Sequence, residues 1–168
     1  MAMATSIDGS MPLEARRITR DDVRAQARLR LALMEEVGGA LDAAAHTALL
    51  QSNEAFFHRN MDSPAWSHWC VEYAGDMVAA GTLLILERPP YPGNPKGLDA
   101  YLLNIYTVPA FRGRGAANTV VAAALAHAKG CGVRKLILHA TEKGRPMYEK
   151  LGFLASSAYM ELQLNPNS

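Results

Sequence analysis

The 168-residue sequence has no surplus of charge: 17 lysines and arginines stand against 16 aspartates and glutamates, leaving +1. That excludes a chain-wide positive field able to gather nucleic acid or anionic membrane without specificity, so any anion site must be local. Cysteine is nearly absent. Cys70 and Cys131 lie far apart in apolar surroundings, and neither belongs to a C-x-x-C pair, which argues against a zinc site or redox dithiol. They read as buried free thiols of a reducing cytoplasm, with no metal expected. Long apolar runs are missing too; none approaches the roughly 20 residues that cross a bilayer. Residues 1–12, MAMATSIDGSMP, lack the basic start and long apolar core of a signal peptide. They read as a loose tail before a single domain from 13 to 168. The length suits one domain with its own core, and the expectation is a soluble, cytoplasmic protein with no membrane or nucleic-acid partner.

What is present alternates between periodicities. LEARRI (13–18) reads as a short strand, and Thr19 precedes Asp21 and Asp22 as an N-cap with acids at the positive end of a helix. Val23, Ala27, Leu31 and Met34 then recur at helical spacing until Gly38-Gly39. A second helix is predicted from about Leu41 to Arg59. WSHWCVEY (66–73) and MVAAGTLLIL (77–86) read as strands joined by a turn at Ala74-Gly75-Asp76. ERPPYPGNPKGLD (87–99) has too many breakers for regular structure and reads as an exposed loop. AYLLNIYTV (100–108) is an apolar strand stopped by Pro109. A helix follows from Gly113 to Lys129, with Ala117, Val120, Val121, Ala124, Leu125 and Ala128 on its inner side. KLILHA (135–140) reads as a fully buried strand, Arg145 to Leu151 as a short helix, and AYMELQL (158–164) as a strand with one wet face. The order β-α-α-β-β-β-α-β-α-β makes the class α/β, or α+β with a mixed sheet.

The stretch YTVPAFRGRGAANTVV (106–121) carries the chemistry. A strand ends, an Arg-Gly-Arg-Gly knot follows, and a helix begins. Amides at a helix start have no internal partners and point toward the positive dipole end. Glycines let an anion approach that backbone, and Arg112 and Arg114 can add charge-assisted bonds. A diphosphate suits such a cradle; a surface turn carrying arginines is the plainer alternative. The chain has no P-loop string, and a Gly-x-Gly-x-x-Gly pattern would need glycine where Asn118 stands.

Arg112-Gly113-Arg114-Gly115-Ala116-Ala117 resembles the Arg/Gln-x-x-Gly-x-Gly/Ala pyrophosphate loop of the GNAT superfamily of N-acetyltransferases. The preceding IYTVP resembles the strand before that loop, and GRPMYEKLGF (144–153) resembles the family's Tyr-x-Lys-Leu-Gly-Phe segment. The agreement in order and spacing runs from about residue 13 to 164. The resemblance implies a mostly antiparallel central sheet splayed open at an acetyl-CoA cleft. It also implies direct acetyl transfer to an amine of a small molecule or peptide. Pantetheine would pair with the backbone of Ile105, Tyr106 and Thr107, which would also polarise the acetyl carbonyl. The diphosphate would sit on amides from Arg112 to Ala117. Tyr148 aligns with the family's general acid toward the CoA sulfur. The family's asparagine seven residues before that tyrosine is replaced by Thr141, whose hydroxyl can do part of its work. A glutamate that some relatives carry on the strand before the tyrosine helix falls near Leu136 here. The base is therefore open among Glu35, Glu36, Glu72, His139 and a water chain. Trp66, Trp69, Tyr91 and Tyr106 are candidates for an acceptor wall. Relatives are often homodimers, but the sequence leaves the oligomeric state open. The missing glutamate and Thr141 also motivate an alternative, a non-catalytic acyl-CoA-binding module. A nucleic-acid role for the Arg-Gly turn finds no supporting motif.

Overall fold

Small residues and strand breakers set the framework. Strand β4 (Trp66–Tyr73) and strand β5 (Asp76–Glu87) pair antiparallel. Between them Ala74 and Gly75 take positive φ of 52° and 87°, the left-handed conformation of a tight hairpin turn. Strand β6 (Leu98–Thr107) lies antiparallel to β5 on its other side. Residues 78–83 of β5 are all buried, because both faces of the sheet are covered and the strand reads as an unbroken apolar run.

The computed structural model describes residues 5–7 and 10–164. They fall into two compact units, one ending at Leu138 and one beginning at His139. In the first unit a five-stranded sheet has the order β3-β4-β5-β6-β7, with β3 at Ala15–Arg17 and β7 at Lys135–Leu138. Only β6 and β7 pair in parallel. Helices α1 (Val23–Gly38) and α2 (Ala43–Asn60) follow β3, and α3 (Ala116–Cys131) joins β6 to β7. The second unit contains α4 (Arg145–Lys150). The mixed α/β class and the element order through α4 agree with the sequence.

Three expectations are corrected. Residues 158–164 form no strand; they are exposed, with Met160 at 100% and Leu162 at 80%. Their alternation sets which side chains would share a face, but a strand also needs a neighbouring ladder, which local pattern does not supply. KLIL is not fully buried. It is an edge strand with an exposed lysine and three partly buried residues, and His139 lies beyond its end. Part of the supposed tail is paired: β1 (Thr5–Ile7) lies antiparallel to β2 (Ser10–Leu13). The rest of the expected tail, residues 1–4 and 8–9, lies outside the described residues.

The core forms on both faces of the sheet. Helix α3 buries Ala116, Val120, Val121, Ala124 and Ala128, and each fully buried valine contributes about 1.5–3 kcal/mol. Gly81 of β5 permits this close approach. A Cβ there would lie 2.6 Å from Val120 Cγ1 and would overlap Ile105 Cδ1. On the other face Val23, Ala27 and Phe57 form a cluster between α1 and α2.

A buried polar group sits on that second face. His68 Nδ1 is 2.9 Å from Gln26 Nε2 and 3.0 Å from Thr82 Oγ1. Burial lowers the imidazole pKa to about 4, with the Arg17 charge adding to the effect. Its folded pKa thus lies below the ordinary value. The resulting stability is complete above about pH 6.5 and is lost as pH falls toward 4, by on the order of 3 kcal/mol. Urea midpoints measured from pH 7 to 4.5 should fall steeply for the wild type and less steeply for His68→Gln.

Candidate functional site

The site is built where β6 parts from its neighbours. Its pairing with β7 runs from Asp99↔Lys135 to Leu102↔Leu138 and stops, while β6 continues to Thr107. Residues 103–107 therefore keep β5 on one side and, among the described residues, have no strand on the other. On the β5 side the register shifts. Leu103 faces Thr82 and Tyr106 faces Ala80, so Asn104 and Ile105 together oppose Gly81. This bulge re-aims the backbone. Asn104 adopts φ 58°, a left-handed conformation that asparagine tolerates better than most residues. Its Oδ1 is buried without a hydrogen-bond partner, as is Thr107 Oγ1. In the sequence its signal is a lone asparagine in an otherwise apolar run.

After β6, Val108-Pro109 turns the chain through a short 3-10 segment, Pro109–Phe111. Gly113 and Gly115 then take φ of 73° and 88° on either side of Arg114. Alternation of this kind curves successive amides toward one point, an anion-binding nest. Thr119 N–H is the first amide to bond back, to Gly115 O at 3.0 Å. Residues 112–115 form a turn, and among the described residues the amides of Gly113, Arg114, Gly115, Ala116, Ala117 and Asn118 make no close, well-aligned bond to a backbone carbonyl. These amides lie at the positive end of a 16-residue helix.

The arginines of the knot are turned elsewhere. Arg112 Nη1 donates to Glu36 Oε1 at 3.1 Å, Nη2 bonds the other carboxylate oxygen, and Nε donates to Thr107 O at 3.0 Å. Its guanidinium also lies 5.5 Å from the Tyr106 ring centroid. Arg114 lies 5.3 Å above Phe111. Arg112 thus ties the end of α1 to the end of β6, leaving the amides as the open donors.

The other candidates have separate settings. Glu72 on β4 is paired with Arg16, which also binds Asp22; the arginine holds Glu72 below the usual carboxylate range. Glu35 is partly buried on the last turns of α1. Trp69 packs edge-on against His127 of α3, while Trp66 packs against Phe56 of α2 and stacks on His68. Both serve the core. Tyr106 is buried beneath Arg112, and Tyr91 is exposed. The 87–99 loop is not wholly exposed: Asn94 and Asp99 are each 1% exposed. Asn94 Nδ2 donates to Asp99 Oδ1 at 3.1 Å, closing the loop onto the start of β6.

In the second unit Thr141 precedes α4. Its hydroxyl and carbonyl oxygens both accept from Gly144 N–H, each at 3.1 Å. Tyr148 is buried, and its ring meets Phe153 edge-on at 5.7 Å. Burial pushes its phenol up to about 12. His139 opens this unit. Of the two thiols, Cys70 is buried and Cys131 only partly so, with its Sγ 3.6 Å from His127 Nε2. Among the described residues, no three metal-ligating side chains cluster, and no helix is long and apolar enough to cross a membrane.

Comparison with known proteins gives a consistent result. The model of the acetyltransferase (GNAT) family matches residues 32–153. The uncharacterized N-acetyltransferase YjgM of Escherichia coli (strain K12) is 28% identical over 141 residues, 82% of this chain and 80% of that protein. The glucosamine 6-phosphate N-acetyltransferase of Trypanosoma brucei brucei is 31% identical over 98 residues, 57% of this chain and 63% of that one. Among solved structures, a GCN5-related N-acetyltransferase from Ralstonia eutropha JMP134 superposes with TM-score 0.76 at 28% identity, covering 90% of this chain and 98% of that one. A predicted acetyltransferase from Clostridium acetobutylicum, solved with acetyl-CoA, shares the fold with TM-score 0.78 at 24% identity, covering 90% of this chain and 96% of that one.

Proposed function

The chain belongs to the acetyltransferase (GNAT) family, and on that premise we propose that it moves the acetyl group of acetyl-CoA directly to an amine of a small molecule or peptide. The observation that carries the proposal is the row of six amides without a close, well-aligned carbonyl partner, Gly113 to Asn118, where β6 gives way to α3. A diphosphate suits that row, because successive amides at a helix start supply charge-assisted hydrogen bonds that need no side-chain cation. The positive-φ glycines support this reading, because they keep side chains away from the row of amides.

The chain's own groups supply the remaining needs of acyl transfer. The backbone of Ile105, Tyr106 and Thr107 has one edge that no described strand pairs with, which suits the amides of a pantetheine arm. The same stretch, displaced by the bulge at Asn104, offers polarisation to the thioester carbonyl. The amine nitrogen bonds to that carbonyl carbon, the carbon–sulfur bond breaks, and Tyr148 gives its phenolic proton to the departing sulfur. The amine proton leaves through water or through one of Glu35, Glu36, Glu72 and His139. Ion pairing of Glu36 and Glu72 with arginines favours water. The glucosamine 6-phosphate acetylated by the trypanosome relative supports a small amine as acceptor.

Two measurements test this reading. CoA or acetyl-CoA at about 100 times its dissociation constant should stabilise the protein by roughly 2.7 kcal/mol, visible as a thermal shift. Thiol release across an amine panel should then detect turnover. No shift with either CoA species removes the reading. A shift without turnover favours an acyl-CoA-binding module instead.

A further inference from the structure

Two arginines among the described residues are partly buried, Arg16 and Arg30. Arg16 is neutralised by two carboxylates, Asp22 at 2.7 Å and Glu72. Arg30 forms no ion pair with any described carboxylate. The titratable group it interacts with is Tyr101 on β6, and burial lowers its pKa. Taking a guanidinium partly out of water without an opposite charge is unfavourable. Such a residue is stabilised when an anion arrives.

Its place on α1, which packs on β5 and β6, is informative. Along α1, Gln26 reaches Thr82 on β5, Arg30 interacts with Tyr101 on β6, and Glu36 holds Arg112 beyond the end of β6. The helix therefore tracks toward the place where β6 and β7 separate. Tyr101 pairs with Ile137 on the last rung but one of that ladder. Just past it, β6 carries the buried, unpartnered Oδ1 of Asn104.

We propose that Arg30 receives an oxyanion of the acceptor, making the substrate class an amine that also carries a phosphate or carboxylate; this rests on the acetyl-transfer reading above. The guanidinium offers a planar fork of donors matched to two oxygens of either group. With no net positive field over the chain, attraction of an anionic acceptor depends on such a local cation. An amine joined to that anion by a short chain then lies near the point where the β6–β7 ladder ends.

The test compares ethanolamine, phosphoethanolamine and β-alanine as acceptors for the wild type, Arg30→Gln and Arg30→Lys, with thermal unfolding checking that each variant folds. The wild type should prefer at least one anionic amine over ethanolamine, and the two anionic arms separate phosphate from carboxylate. Arg30→Gln should lower kcat/KM for the preferred acceptor by about 10- to 100-fold, the range expected for loss of charge-assisted hydrogen bonds. It should leave ethanolamine unchanged, and Arg30→Lys should recover part of the loss. Equal use of all three amines by the wild type, or a uniform fall across them in Arg30→Gln, overturns the proposal. If none is acetylated although CoA binds, calorimetric titration of phosphoethanolamine and β-alanine into the CoA-saturated protein decides. Saturable binding lost in Arg30→Gln upholds the anion site even where acetyl transfer fails. Equal binding by both proteins, or none by the wild type, overturns it.

Discussion

Tyr148→Phe should lower kcat by about two to four orders of magnitude, the usual contribution of a positioned general acid, while acetyl-CoA binding is kept. The substitution removes one oxygen from a ring already packed edge-on against Phe153, so the local packing survives and the effect falls on proton transfer. Burial holds the phenol near 12, above the ordinary phenol value of about 10. The proton therefore stays in place across the usual assay range, and the acid should cause no alkaline fall in kcat below about pH 10. Steady-state rates from pH 6 to 10, with CoA binding measured separately by calorimetry, check both statements. Full turnover by the variant would take Tyr148 out of the acid role, and a parallel loss of CoA binding would make it a packing residue.

Gly115→Ala should weaken CoA binding by about tenfold or more, whereas Arg114→Ala should change it little. Gly115 holds φ 88° as the residue that opens α3, and a side chain in that conformation costs roughly 1–2 kcal/mol. Relaxing the strain rotates neighbouring amides out of the nest, and each hydrogen bond lost to a charged oxygen is worth about 1.5–3 kcal/mol. Arg114 faces Phe111 instead, so its removal leaves the backbone donors intact. Calorimetric titration of both variants with CoA ranks them. The reverse order would move the binding from backbone to side chain.

Much of this arrangement is local and could be read from residue order. Gly38-Gly39 ends α1, Ala74-Gly75 makes the hairpin, and the two glycines of the knot carry the positive φ that the loop needs. These features depend on one residue's backbone preference, so sequence displays them directly. Pairings across long separations are invisible to that reading. Arg112 looks like a ligand arginine until Glu36, 76 residues earlier, is found on it. Glu72 looks like a spare base until Arg16, 56 residues earlier, takes it. Asn94 sits in a breaker-rich loop, and its burial is explained by bonds to the Asp99 carboxylate and to the Leu98 backbone. The segment 158–164 shows the converse case. Its alternation is real, but pattern alone supplies no neighbour, and the described chain leaves it exposed.

The half of β6 that runs on past β7 has a second consequence. A row of backbone donors and acceptors left without a strand will pair with any extended chain that reaches it, including another copy of the same protein. The edge proposed to take a thin, amide-bearing arm is thus also a template for self-association. On the acetyl-transfer proposal, a ligand lying along that edge would cover it and so tie self-association to ligand supply. Asn104, which turns the backbone at the bulge, shortens the regular part of that edge and limits the hazard when it is bare.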